Sequence, residues 1–138
     1  MAATLPTKIQ LEIVTPDRLL LSEEVDEVSI PGSEGYLGIL PGHLPLLTLL
    51  GIGILSYRKG AEKQSFAVNG GFAEVLPDRV IVVADTVERP EEIDVSRARE
   101  AKEQAEGRLA SAQDSMDVDR AMESLLRATA RLQVAQMR

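Results

Sequence analysis

Three arginines in the last third of the sequence, Arg97, Arg127 and Arg131, are the residues whose type and spacing point most directly to chemistry. Two helices joined by a turn near residue 115 and packed antiparallel would set Arg97 roughly opposite Gln133. Arg131 is then close by, and Arg127 stands one turn along the same face, because positions i and i+4 are neighbours on a helix. Guanidinium forks match the geometry of phosphate oxygens, so three of them together describe an anion site. A plainer reading fits the same residues: Arg127 pairs with Glu123 or Glu103, and Arg97 merely caps the site.

Other chemistries find little support. The sequence holds one histidine, His43, and no cysteine, so neither a nucleophilic triad nor a typical zinc cluster can be assembled. No GxxxxGK[ST] phosphate loop is present. Gly51-Ile-Gly53 opens a GxGxxG-like string, but Ser56 stands at the third glycine and the segment lies between strands, so these glycines bend a sheet. The acidic run Glu23, Glu24, Asp26, Glu27 lacks the spacing of a calcium loop and reads as a solvated strand edge. No metal site is expected. An acid/base enzyme would need two opposed carboxylates in a pocket, and no spacing points to such a pair.

The elements that must position the arginines are legible from periodicity. Ile9, Leu11 and Ile13 alternate with Gln10 and Glu12, the two-residue period of a half-buried strand. Short β-like runs follow at 18–22, 25–30, 36–40, 46–50, 52–58, 63–69, 72–76 and 79–86. Turn residues separate them, among them Pro41-Gly42, Lys59-Gly60, Asn69-Gly70-Gly71 and Pro77-Asp78. Many short strands at this spacing predict an antiparallel sandwich or flattened barrel. The texture changes at Glu88. After Asp94 there is no proline and one glycine, Gly107. Asp94 is placed to cap a helix over about 95–112, with Ala98, Ala101, Ala105, Leu109 and Ala112 on one face. Residues 113–117 break it. Asp117 or Asp119 then caps a second helix, with Ala121, Leu125, Ala128, Leu132 and Ala135 as its stripe.

This predicts a β domain over residues 1–88 and an antiparallel helical hairpin over 89–138. All four aromatic residues, Tyr36, Tyr57, Phe66 and Phe72, fall in the first part. The hairpin must pack through alanine, which buries little apolar area at roughly 25 cal/mol per Å2. Isolated helices of this length are marginal in water. The hairpin is therefore either an element that detaches and re-docks or one held permanently on the sandwich.

Net charge is −7, which argues against nucleic-acid binding. The longest apolar stretch, Leu44 to Leu55, is interrupted by Pro45, Gly51 and Gly53 and is too short to span a bilayer, so membrane association is expected only through a partner. Residues 1–8 lack the apolar core of a signal peptide.

Residues 32–47, GSEGYLGILPGHLPLL, crowd glycines and prolines around Ser33, Glu34, Tyr36 and His43. By composition this is a structural corner. It also closely resembles the signature of the epsilon subunit of bacterial F-type (rotary) ATP synthases. NGGFAEV (69–75) resembles that family's second signature, and IDVSRA (93–98) and RATARLQVAQMR (127–138) resemble its C-terminal part, so the likeness runs through the chain in order. The resemblance implies a ten-stranded N-terminal β-sandwich and a C-terminal helical hairpin. It implies a non-catalytic subunit that binds the gamma subunit and the c-subunit ring in the central stalk. Its hairpin would extend into the alpha/beta catalytic hexamer and inhibit ATP hydrolysis. Ser33, Glu34, Tyr36 and His43 match the region facing the c ring. IDVSRA matches a motif associated in some relatives with ATP bound to the folded hairpin, which implies a site of Glu88, Ile93, Asp94, Arg97, Ala98, Arg127 and Arg131. No cofactor is required; ATP would be a regulatory ligand. Mitochondria call the equivalent subunit delta, and the lack of a targeting segment favours a bacterial member, peripheral on the cytoplasmic face of the cell membrane.

Overall fold

The fold was obtained as a computed structural model and is described over residues 4–137. Residues 1–3, at the start of the expected β domain, and Arg138, at the end of the expected hairpin, lie outside that range. Eight strands precede the helices: β1 (Ile9–Val14), β2 (Leu19–Val25), β3 (Glu27–Gly32), β4 (Gly35–Ile39), β5 (Leu46–Leu49), β6 (Ile52–Lys59), β7 (Glu62–Leu76) and β8 (Arg79–Glu88). A short 3-10 turn, Pro90–Glu92, leads to α1 (Val95–Ala110) and α2 (Ser115–Ala135).

Strand order is β2-β1-β8-β7-β6-β3-β4, with β5 paired to β7. The fifteen-residue β7 carries the sandwich. Its first half, to Asn69, pairs with β6, and its second half, from Phe72, pairs with β5. Between them Gly70 and Gly71 take positive φ, +68° and +107°, which a side chain resists. The bend folds one continuous sheet into two layers. β8 runs beside both halves of β7, and its ladder skips the Gly70–Asp85 position. Dividing β7 and β8 at that bend gives the ten segments of the expected sandwich.

One expectation is corrected: the strands do not close into a barrel, and their pairing is not wholly antiparallel. β1 runs parallel to β8, from Gln10 opposite Arg79 to Val14 opposite Val83. These strands lie at opposite ends of the β domain's sequence, so no tight hairpin forces them antiparallel.

Alternation explains the core. Ile9, Leu11 and Ile13 of β1 and Val80, Val82 and Ala84 of β8 point inward and are buried, together with Val28, Ile30, Leu55, Phe66, Val68 and Val75. The alternation fails at Ser65–Val68, where four consecutive residues are buried. Both faces of β7 are covered there, one by the core and the other by α2.

The helices also start and stop differently from expectation. α1 ends at Ala110 rather than near 112, and α2 begins at Ser115. Asp114 caps α2, its carboxylate accepting from Asp117 N–H at 2.8 Å. A cap three residues earlier satisfies the first-turn donors sooner, so neither Asp117 nor Asp119 is needed as the cap. Between the helices the buried residues are alanines: Ala98 and Ala105 on α1, Ala121 and Ala128 on α2. The seven-residue spacing within each pair keeps them on one seam.

A carboxylate ties three loops of the sandwich together. Asp26, between β2 and β3, accepts from Gly60 N–H at 2.7 Å, pairs with Lys8, and faces Arg58 at 3.6 Å. The Gly60 hydrogen bond and then Lys8 hold its carboxyl below the usual range. Its folded pKa is the lowered one, so its stabilisation is complete above about pH 4 and is lost as pH falls through the folded value. Asp26→Asn should flatten that acid limb. Denaturant titrations at about pH 6 and about pH 3 check this: wild type should lose more stability than the variant between them.

Candidate functional site

The end of β8, the 3-10 turn and the facing sides of α1 and α2 enclose a groove of about 410 Å3. Glu88 is the last residue of β8, and Glu92 ends the 3-10 turn. Asp94 caps α1, its carboxylate accepting from Arg97 N–H at 3.1 Å. Arg97, Ala98 and Ala101 enter from α1, while Ser124, Arg127, Ala128 and Arg131 enter from α2.

Six of the seven residues expected around ATP therefore line one groove. Ile93 does not. It is 4% exposed and packs with Ala67 of β7 and Val134 and Ala135 of α2, in the seat where the hairpin rests on the sandwich. Ile54 and Val95 complete that seat. Sequence reasoning missed Glu92, Ala101, Ser124 and Ala128. Ser124 was findable, standing three residues before Arg127 on the same helical face.

The arginines differ in their partners. Arg131 Nε lies 2.6 Å from Glu88 Oε1, an ion pair between helix and sandwich. Arg127 donates to Ser124 Oγ at 3.2 Å and lies 3.8 Å from Glu123, so of the two partners in the plainer reading it meets Glu123 and not Glu103. Among the described residues, the Arg97 guanidinium has no hydrogen bond or ion pair. Three guanidiniums face three carboxylates (Glu88, Glu92 and Asp94) across an alanine floor. Glu92 is turned toward Arg89, 3.8 Å away. The arrangement can hold an oxyanion beside an apolar group. The volume falls within the roughly 300–1,000 Å3 of small-molecule sites. Among the described residues no group of histidine, cysteine and carboxylate side chains could hold a metal.

The second expected set is split. Ser33, Glu34 and Tyr36 line a shallow groove with Leu46 and Thr48 of β5. Ser33 N–H donates to Leu49 O at 2.9 Å, so this tip lies at one end of β5. His43 precedes the other end, where Gly42 N–H donates to Pro77 O at 2.7 Å. The His43 ring is engaged locally, with Nδ1 2.6 Å from Leu44 O. The Tyr36 hydroxyl is also engaged, accepting from Ile54 N–H at 2.9 Å. It lies over Gly53, where an added Cβ would come within 2.6 Å of the hydroxyl oxygen. Gly53 thus makes room for Tyr36 to cap the β6 edge that β3 leaves unpaired. Tyr36→Phe should cost about 1 kcal/mol by orphaning that N–H. Thermal unfolding, with hydrogen exchange at Ile54, checks it.

Between these two ends lies an apolar surface that sequence reasoning did not single out. Leu47 is 68% exposed, Leu49 66% and Phe72 45%, and Leu49 faces Phe72 across the ladder. The signal was a leucine run that does not alternate. No described helix is long and apolar enough to cross a membrane.

A family model described as the beta-sandwich domain of the ATP synthase delta/epsilon chain matches residues 8–90, and its long alpha-helix domain matches residues 91–136. The chain belongs to the ATP synthase delta/epsilon family. Among relatives of this family, the chain is 55% identical over 130 residues to the ATP synthase epsilon chain of Herpetosiphon aurantiacus, covering 94% of this chain and 96% of that one. It is 51% identical over 129 residues to the epsilon chain of Syntrophobacter fumaroxidans, covering 94% and 96%. Among solved structures, a chain in the cryo-EM structure of the Euglena gracilis mitochondrial ATP synthase (OSCP, F1 and c-ring) superposes with a TM-score of 0.83 at 27% identity, covering 99% of this chain and 86% of that one. A chain in the central stalk/c-ring structure of the Tetrahymena thermophila enzyme, at 17% identity and a TM-score of 0.60, shares the fold.

Proposed function

We propose that this chain is the epsilon subunit of a bacterial rotary ATP synthase: a non-catalytic central-stalk component that couples rotation to synthesis and restrains hydrolysis. The observation that carries this reading is the superposition along 99% of the chain onto a chain of an OSCP/F1/c-ring assembly. In this reading the sandwich, residues 1–88, joins the gamma subunit and the c ring. The exposed Leu47, Leu49 and Phe72 are suited to a protein partner, because a contiguous apolar patch on an acidic subunit is stabilised by being covered. The Ser33–Tyr36 tip and His43 would face the ring. Membrane attachment runs through the complex, on the cytoplasmic face.

The hairpin, residues 89–138, is the regulatory part. Its seat on the sandwich is small, chiefly Ala67, Ile93, Val134 and Ala135. Released helices would reach toward the alpha/beta hexamer and slow hydrolysis. ATP in the groove would hold the docked form by mass action, because it binds that form alone. Arg97, Arg127 and Arg131 hold phosphate oxygens in this scheme, and the alanine floor carries the base.

A chain ending at residue 88 tests both parts. It should fold, since the main core lies wholly before that point, bind gamma, and support coupled synthesis. Hydrolysis by the reassembled complex should rise above that with the full chain. An unfolded fragment by circular dichroism, or hydrolysis at the full-chain level, would sink the division of labour.

A further inference from the structure

The Arg131–Glu88 pair joins two parts of the molecule. Among the described residues it is the one hydrogen-bonded ion pair between the strands and the two long helices. Glu88 ends β8, Arg131 lies late in α2, and both border the same groove. The contact is made through Nε at 2.6 Å. A guanidinium carries five N–H donors in a rigid fork, so engaging Nε leaves the Nη donors for another acceptor. No other hydrogen bond of Arg131 occurs among the described residues. An arginine side chain not fixed by packing samples many rotamers. Here a carboxylate from the sandwich selects one.

We infer that Glu88 is a positioning residue: it aims the Arg131 fork into the groove, so that the anion site is complete only while the hairpin rests on the sandwich. This rests on the reading of the groove as a nucleotide site and adds a requirement to it. Antiparallel helices alone bring Arg97, Arg127 and Arg131 together. They do not orient Arg131, because its partner belongs to the other domain. Nucleotide affinity then reports docking onto the sandwich, beyond closure of the hairpin. Glu88 also has an opposing influence, since a carboxylate beside phosphates repels them. Replacing it by glutamine separates the two effects: an amide oxygen still accepts from Nε–H, while the charge is gone.

Calorimetric titration of the full chain with ATP tests this on wild type, Glu88→Ala, Glu88→Gln, Arg131→Ala and the Glu88→Ala/Arg131→Ala double variant. Glu88→Ala should weaken binding about tenfold, the scale of one charge-assisted hydrogen bond. Glu88→Gln should bind as wild type or tighter. In the Arg131→Ala background, Glu88→Ala should weaken binding no further, because a residue acting through Arg131 has nothing left to aim and only its repulsion remains to be removed. Equal losses from Glu88→Ala in both backgrounds would mean direct contact with the ligand and overturn the inference. Tighter binding by Glu88→Ala would overturn it too, showing repulsion to be the larger effect. Wild type that gives no heat with millimolar ATP would reject the nucleotide site itself and this inference with it. Binding by wild type with additive losses rejects the inference alone.

Discussion

Gly71→Ala is expected to destabilise the sandwich by at least about 3 kcal/mol, enough to leave a protein of ordinary stability largely unfolded near its working temperature. Two effects add. Gly71 sits at φ +107°, where a side chain is strained. An added Cβ would also stand 2.0 Å from the carbonyl oxygen of Val83 and 2.8 Å from Ala84 Cα, both backbone atoms that cannot rotate away. The bend could relax only by breaking the β7–β8 ladder, and that ladder joins the two layers. Gly107→Ala is the control. Gly107 lies inside α1 with nothing within 4 Å of an added Cβ. There the substitution should stabilise by up to about 1 kcal/mol through helix propensity. Urea titration of both variants checks the pair, and a small loss at Gly71 would contradict the described bend.

Arg131→Ala should lower ATP affinity by roughly ten- to a hundred-fold, from about 1.5–3 kcal/mol for a charge-assisted contact. It should also loosen the hairpin without ATP, because Glu88 loses its partner. The two losses are separable. A distance probe across α1 and α2 reads closure, hydrogen exchange at Ala67 and Val134 reads docking, and calorimetry reads binding. The sandwich core should be untouched, since Arg131 lies outside it. Unchanged affinity with a loosened hairpin would leave Arg131 as a tether and remove it from the ligand site. Unchanged exchange with lost affinity would leave it as a ligand contact only.

Local order was legible because it depends on neighbours in sequence. The β1 alternation, the turn glycines, the Asp94 cap and the alanine stripes each follow from one stretch of chain, and each appears in the fold, with Ala112 alone falling beyond its helix. The convergence of Arg97, Arg127 and Arg131 also followed from helical period and a single turn. Relations between distant segments were not legible. Nothing in Ile9–Val14 or Arg79–Glu88 says that these strands run parallel, because pairing is decided by how the whole sheet folds at Gly70–Gly71. Ser65–Val68 broke alternation only because α2 covers their outer face, a contact made across more than fifty residues of chain. Ile93 was assigned to the ligand from its motif. Tertiary packing decided where its side chain goes, beneath the hairpin, because an isoleucine beside Val134 is stabilised more by leaving water than by lining a polar groove. The sequence by itself determined which residues could hold an anion and which elements carry them. Only the tertiary structure decided that a carboxylate from the sandwich meets one of those arginines, since that meeting depends on where a marginally held hairpin comes to rest.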